Sequence, residues 1–205
     1  MTTRRERDAL QMKQDILTAA NQIAEKEGFD AISIRKIAKM IEYTPSLIYH
    51  YFASKEEIVS VLLKQGYAKL ATSLATAAKS VEAPKQKLTA MTRAFLKTAL
   101  EIPQEFTIVH TDDAESVVQH TSYLFKGAAE KRIAIQMLAR CIQDMNQGRE
   151  MDDEQSELTA QSIAAATMGM ALKLIVEKNL DPQQREKIIS YFSETVVVRM
   201  ASLEE

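Results

Sequence analysis

Thr44, Pro45, Ser46, Leu47, Tyr49, His50 and Tyr51 lie in a stretch, residues 43–55, that holds no Asp or Glu. Small side chains, aromatics and one histidine replace the Lys/Glu mixture of an ordinary solvated helix face. Ser33 and Arg35 precede the stretch, and Lys55 closes it. The chemistry such a set can do is recognition of a polyanion. Short side chains let a backbone approach base edges, hydroxyls and cations meet phosphates, and carboxylates are kept away.

Other chemistries find less support. There is no Gly-rich phosphate loop, no nucleophile motif and no close His/Asp/Cys set, so no enzyme and no cofactor is expected. His110, Asp112, Asp113, Glu115 and His120 include metal-ligand types, but no tight His-x-x-x-His spacing joins them, and no metal is expected. Cys141 is the sole cysteine. It excludes an intrachain disulfide framework and reads as an inert core thiol.

The elements that must position the polyanion-binding set are helices. Gly numbers 5, Pro 4 and Trp 0 in 205 residues, and Ala, Leu, Met, Lys, Glu and Gln are plentiful, which favours an all-α fold. A first helix is expected from Asp8 to Glu27, with Ile16, Ala20, Ile23 and Ala24 as its apolar stripe. Gly28 stands where a left-handed C-cap is wanted, and Phe29 can fold back on the helix end. Ser33 caps a second helix whose inner face is Ile34, Ile37, Ala38 and Ile41. Thr44 caps a third, with Pro45 at N1, where its missing N–H costs nothing. Ile48 and Phe52 face inward. Ser54 and Glu57 form a capping box for a fourth helix with Ile58, Val61 and Leu62 inside.

Two short helices around a tight turn, set between longer ones, make a helix-turn-helix over residues 33–52. In that layout the third helix presents its start to a major groove, and its free N–H groups can meet a phosphate. Leu47 then points outward, where a thymine methyl is a partner. Arg4, Arg5 and Arg7 are either a minor-groove arm or a solvated terminus.

The pieces Ala24-Glu25-Lys26-Glu27-Gly28-Phe29, Ser33-Ile34-Arg35-Lys36-Ile37-Ala38, Ile48-Tyr49-His50-Tyr51-Phe52 and Ser54-Lys55-Glu56 occur in this order. Together the stretch Ile16 to Leu62 resembles the DNA-binding domain of the TetR family of bacterial repressors. The resemblance implies phosphate contacts at Tyr49 and Lys55, and a phosphate or guanine contact at Arg35. It implies base reading by Pro45, Ser46, Leu47 and His50. Glu42 departs from the family's turn glycine, so a slightly different turn is expected. Tyr51 stands at the family's common histidine, and its hydroxyl takes the phosphate contact.

The rest of the chain reads as helices opened by Pro84, around Gln104 to Val109, from Val117 to Gln147, from Glu157 to Lys178, and from Pro182 to Leu203. His110 to Glu115 reads as a loop, and a break is marked at Gly127. The expected organisation is a DNA-binding domain over residues 8–69, joined by the long fourth helix to a C-terminal ligand-binding and dimerisation domain over 70–205. Residues 1–69 hold 11 basic and 9 acidic side chains, a balance of +2 within a chain of net −2. That weak asymmetry agrees with a basic module on an acidic body.

Ala164, Ala165, Met168, Gly169, Leu172, Val196, Val197 and Met200 are the expected dimer surface, because a single helix-turn-helix reads half a site. Phe106, His110, His120, Tyr123, Met137, Arg140, Cys141, Met145 and Met168 are the expected lining of an effector pocket. The partners expected are thus a palindromic double-stranded operator, a small-molecule effector and a second copy of the chain. No apolar run reads as a membrane span and no secretory leader is visible, so the cytoplasm is the expected location.

Overall fold

The structure, a computed structural model, describes residues 3–111, 121–148 and 151–202. Asp112, Asp113, Glu115 and His120 lie outside the described residues, as do the expected helix start at Val117 and helix end at Leu203. The chain divides into two units, residues 1–67 and 68–205.

The first unit begins earlier than the apolar periodicity indicates. Helix α1 runs Arg4–Glu27 because Thr3 and Glu6 form a complete capping box. The Glu6 amide donates to Thr3 Oγ1 at 3.3 Å, and the Thr3 amide donates to Glu6 Oε2 at 2.7 Å. Arg4, Arg5 and Arg7 are therefore exposed residues of the first helical turns rather than a frayed end. Ile16, Ala20, Ile23 and Ala24 are buried as the stripe requires. Gly28 ends α1 with its amide on the Ala24 carbonyl at 2.9 Å. Its φ of 89° and ψ of 161° lie in an extended region open to glycine, not in the left-handed helical well. A single 3₁₀ turn, Phe29–Ala31, follows and buries Phe29.

Helix α2 spans Ile34–Met40, α3 Pro45–Tyr51 and α4 Lys55–Lys79. Ile34, Ile37, Ala38, Ile48, Phe52, Ile58 and Leu62 bury the faces read from the sequence. The boundary between the units falls within α4.

The second unit holds α5 (Pro84–Glu101), α6 (Pro103–Thr111), α7 (Ala128–Lys131), α8 (Ile133–Met145), α9 (Asp153–Val176), α10 (Pro182–Tyr191) and α11 (Val197–Ala201). His110 belongs to α6, so the expected loop does not begin there. Gly127 marks the break before α7 in a left-handed conformation, φ 80°. Arg132 adds a second break before α8. Phe192–Val196 forms a π turn that joins α10 to α11. The core gathers Leu88, Leu96 and Ala99 of α5, Phe106 of α6, Ile135 and Ile142 of α8, Ile163, Ala171 and Leu174 of α9, and Phe192 and Val197.

By length and composition α9 qualifies as a helix able to cross a membrane, contrary to the sequence reading. One face of it is core: Ala160, Ile163, Ala171 and Leu174 are buried within the unit. Its polar residues are bonded there too. The Gln161 amide donates to the Phe125 carbonyl at 2.9 Å, and Thr167 donates to Ile163 at 2.7 Å. Glu157 grips the turn before α7, accepting from the Gly127 and Ala129 amides at 2.8 Å each. Those backbone donors, the Ala129 amide first, hold its carboxyl below the usual glutamate range.

Candidate nucleic-acid interface

The interface is built from two caps and a turn. Ser33 Oγ accepts from the Lys36 amide at 3.3 Å and starts α2. α2 ends in a Schellman closure: the Tyr43 amide reaches back to the Ala38 carbonyl at 2.9 Å. This requires a left-handed residue between them, and Glu42 supplies it with φ 59°. It is the only non-glycine with positive φ among the described residues. The altered turn expected from the missing glycine is thus not found. The hydrogen bonds impose the usual geometry, and glutamate carries a conformational cost of roughly 1–2 kcal/mol.

Thr44 is extended, φ −87° and ψ 152°, and makes no side-chain bond to the helix it precedes. Its hydroxyl therefore remains for a phosphate, whereas of the first-turn positions Pro45 has no N–H and the Leu47 amide already donates to the Thr44 carbonyl at 3.1 Å. Within α3, Ile48 is fully buried and Phe52 beyond it nearly so. They fix the rotation of the helix. Pro45, Ser46, Tyr49 and His50 consequently stand exposed, Tyr49 at 57%. Leu47 is half-buried, less outward than its sequence position suggests. His50 and Tyr51 meet edge-on, ring centroids 5.2 Å apart, so each restricts the other.

Lys55 and Tyr51 are half-buried and Arg35 is exposed. Lys36 beside Arg35 is engaged with Glu27 at 2.8 Å. The capping box at α4 is modified. The Glu57 amide donates to Ser54 Oγ at 3.2 Å, but the Glu57 carboxylate accepts from Ala53 rather than Ser54, at 2.6 Å. That bond draws Glu57 toward the chain entering α4. Met40 and Tyr43, exposed by 41% and 52%, were missed by the sequence reading. Tyr43 directly precedes Thr44 at the start of α3.

Four of the expected effector-pocket residues meet in two pairs. Phe106 is buried and meets the His110 ring at a tilt, centroids 4.3 Å apart. Half-buried Tyr123 donates its hydroxyl to Met168 Sδ at 3.9 Å. Met137 is half-buried, whereas Arg140 is exposed and lies outside any enclosed lining. Cys141 is buried, donates to the Pro84 carbonyl at 3.1 Å, and has its thiol pushed up to about 11 by burial. Met145 instead borders a cleft of about 520 Å³, with Pro84, Lys85, Asp144, Glu194 and Arg199. No residue pattern marks that cleft.

Among the expected dimer residues, Gly169 and Met200 are exposed and Ala164, Ala165, Met168, Leu172 and Val196 are half-buried. Val197 is different: it is 0% exposed inside its own unit, leaving no surface for a partner. After the π turn Val197 faces the core and Val198 borders the cleft beside Met145.

Residues 16–62 match the family described as bacterial regulatory proteins, tetR family. The HTH-type transcriptional regulator BetI of Rhizobium meliloti is 27% identical over 78 residues, 38% of each chain. The HTH-type transcriptional repressor NicS of Pseudomonas putida is 28% identical over 109 residues, 53% of this chain and 51% of that one. The chain thus matches between about a third and a half of the length of these curated relatives. The crystal structure of the TetR-family transcriptional regulator PfmR from Thermus thermophilus superposes with a TM-score of 0.65. It has 19% identity and covers 93% of this chain and 99% of that one. At that identity the likeness is one of fold.

Proposed function

Because residues 16–62 match the family described as bacterial regulatory proteins, tetR family, we propose that this chain is a DNA-binding transcriptional regulator. It acts as a dimeric repressor that a small molecule releases from a palindromic operator. It has no catalytic activity in this reading and works in the cytoplasm.

The observation that carries the reading is the outward face of α3. Ile48 and Phe52 anchor the helix from inside, and the exposed side is free of carboxylates from Tyr43 to Lys55. Pro45, Ser46, Leu47 and His50 read base edges from the start of the helix. Tyr49, Tyr51, Thr44, Ser33, Arg35 and Lys55 hold the phosphates on either side. Phosphate contacts set register and affinity, and base contacts set sequence.

Dimerisation uses α9 and the helices after it. Along α9, Leu158, Ala165, Gly169, Leu172 and Val176 recur at helical spacing on the side away from Ile163, Ala171 and Leu174. Tyr191 and Met200 add exposed apolar surface on the last helices. Two copies joined there present two recognition helices to two half-sites.

The experiment selects a duplex from a randomised library and measures its binding by fluorescence anisotropy across a salt series. Wild type should prefer a palindrome, with log K falling steeply against log salt. Tyr49→Phe should weaken binding. Lys55→Ala should also weaken it and flatten the slope by about one unit per subunit. Unchanged affinity and slope in both variants would remove the phosphate roles.

A further inference from the structure

The strongest unexplained group in the second unit is the His110 imidazole. Its Nε2 is shielded from solvent and has no hydrogen-bond partner among the described residues. Buried ring nitrogens are ordinarily bonded, so this one marks a place where a partner belongs. The ring is not loosely placed. It lies tilted against Phe106 with centroids 4.3 Å apart, and Phe106 meets Phe95 edge-on at 5.5 Å. Burial holds the imidazole neutral, with a pKa lowered to about 4.

A second weakly satisfied polar group borders the same core. Tyr123 and Met168 both pack against the cluster that contains Phe106. The Tyr123 hydroxyl is bonded to a thioether at 3.9 Å, a poor acceptor. Aromatic rings and methionines supply adaptable apolar contact.

We propose that His110 is the polar anchor of a binding site for an uncharged, largely apolar molecule that presents a hydroxyl group. The inference rests on the effector-responsive reading above and names the chemical class of the effector. The class follows from the nitrogen. A neutral imidazole offers either a donor or an acceptor at Nε2, according to tautomer. A hydroxyl answers both, because it donates and accepts. A carboxylate would need a cation beside it in an apolar setting, and the neutral ring supplies none. The aromatic surroundings favour a ring-shaped body, so phenol is the simplest probe.

The test compares phenol with toluene, which has the same ring and no hydroxyl, and with benzoate, which is charged. Binding is read by thermal shift and titration calorimetry on the full chain. Phenol should bind wild type at least tenfold more tightly than toluene, and benzoate should be weakest. His110→Phe keeps a ring against Phe106 and removes the nitrogen. In it, phenol's advantage over toluene should vanish. Equal binding of phenol and toluene by wild type overturns the proposal, because the nitrogen then meets water alone. An advantage that survives His110→Phe overturns it too. Should that variant not fold, the imidazole ¹⁵N spectrum of wild type decides. Phenol should shift the His110 Nε2 resonance, and an unmoved resonance overturns the assignment. Operator binding is measured on the same preparations. A chain that binds its palindrome but not phenol keeps the regulator reading and loses this site. A chain that binds phenol but no DNA keeps the site and loses the regulator.

Discussion

The Tyr43 amide donates to the Ala38 carbonyl at 2.9 Å, closing α2 over a left-handed Glu42. This one bond sets the angle at which the chain leaves α2 and reaches the Thr44 cap of α3. The glutamate pays for the geometry in backbone strain, since its Cβ crowds the carbonyl in that conformation. Glu42→Gly should therefore raise stability by about 0.5–1 kcal/mol. That is the relieved strain less the extra freedom glycine gains when unfolded. Glu42→Val should lower stability by about 1 kcal/mol or more, because a β-branched residue tolerates positive φ least. Urea denaturation followed by circular dichroism measures both. Operator affinity should be unchanged in Glu42→Gly, as the turn already has the glycine geometry. A lower midpoint for Glu42→Gly would mean that the turn is not left-handed.

Most of the first unit was legible because its signals are local. Ser33 and Ser54 are caps that act within four residues, Pro45 marks the start of α3 through its fixed backbone, and Ile48 and Phe52 fix a helix face by spacing alone. The start of α1 escaped because Arg4 to Asp8 carries no apolar periodicity, and only the Thr3/Glu6 box reveals it. In the second unit the informative contacts are long-range. Glu157 reaches Gly127 across 30 residues, and Asn146 reaches the Ala201 carbonyl across 55. No spacing rule predicts such pairs. The π turn at Phe192–Val196 is equally silent in sequence. One turn wider than a helical one shifts every later side chain around the axis. This is why Val197, read as interface, is core.

His110 makes stability depend on pH in a definite window. Its folded pKa is about 4 and lies below the ordinary value of 6.5. Above pH 6.5 the ring is neutral in both folded and unfolded chains and contributes no pH dependence. Between pH 6.5 and about 4 the unfolded chain takes up a proton that the folded chain refuses. Stability therefore falls as pH falls, by up to about 1.4 kcal/mol per unit. At pH 5 the loss should approach about 2 kcal/mol, before most carboxylates begin to titrate. His110→Phe should flatten this part of the curve. Urea midpoints at pH 7, 6 and 5 for the two proteins measure the difference, and parallel curves would show that the ring is accessible to protons when folded.

Gly169 gives the sharpest test of the dimer. It sits inside α9, where glycine is about 1 kcal/mol less favourable than alanine. A Cβ built there meets nothing within 4 Å in the single chain, so the chain's own packing does not require glycine. A second helix crossing close to α9 would require it. Gly169→Arg should leave the helical content of each chain intact, because the side chain has open space in front of it. It should also shift the protein from twice 23.0 kDa to the monomer mass in light scattering. Operator affinity should fall at least tenfold, since each half-site is then bound alone. An arginine variant that remains a dimer with full affinity would place the two-fold contact on another face of the second unit, away from Leu158, Ala165 and Val176.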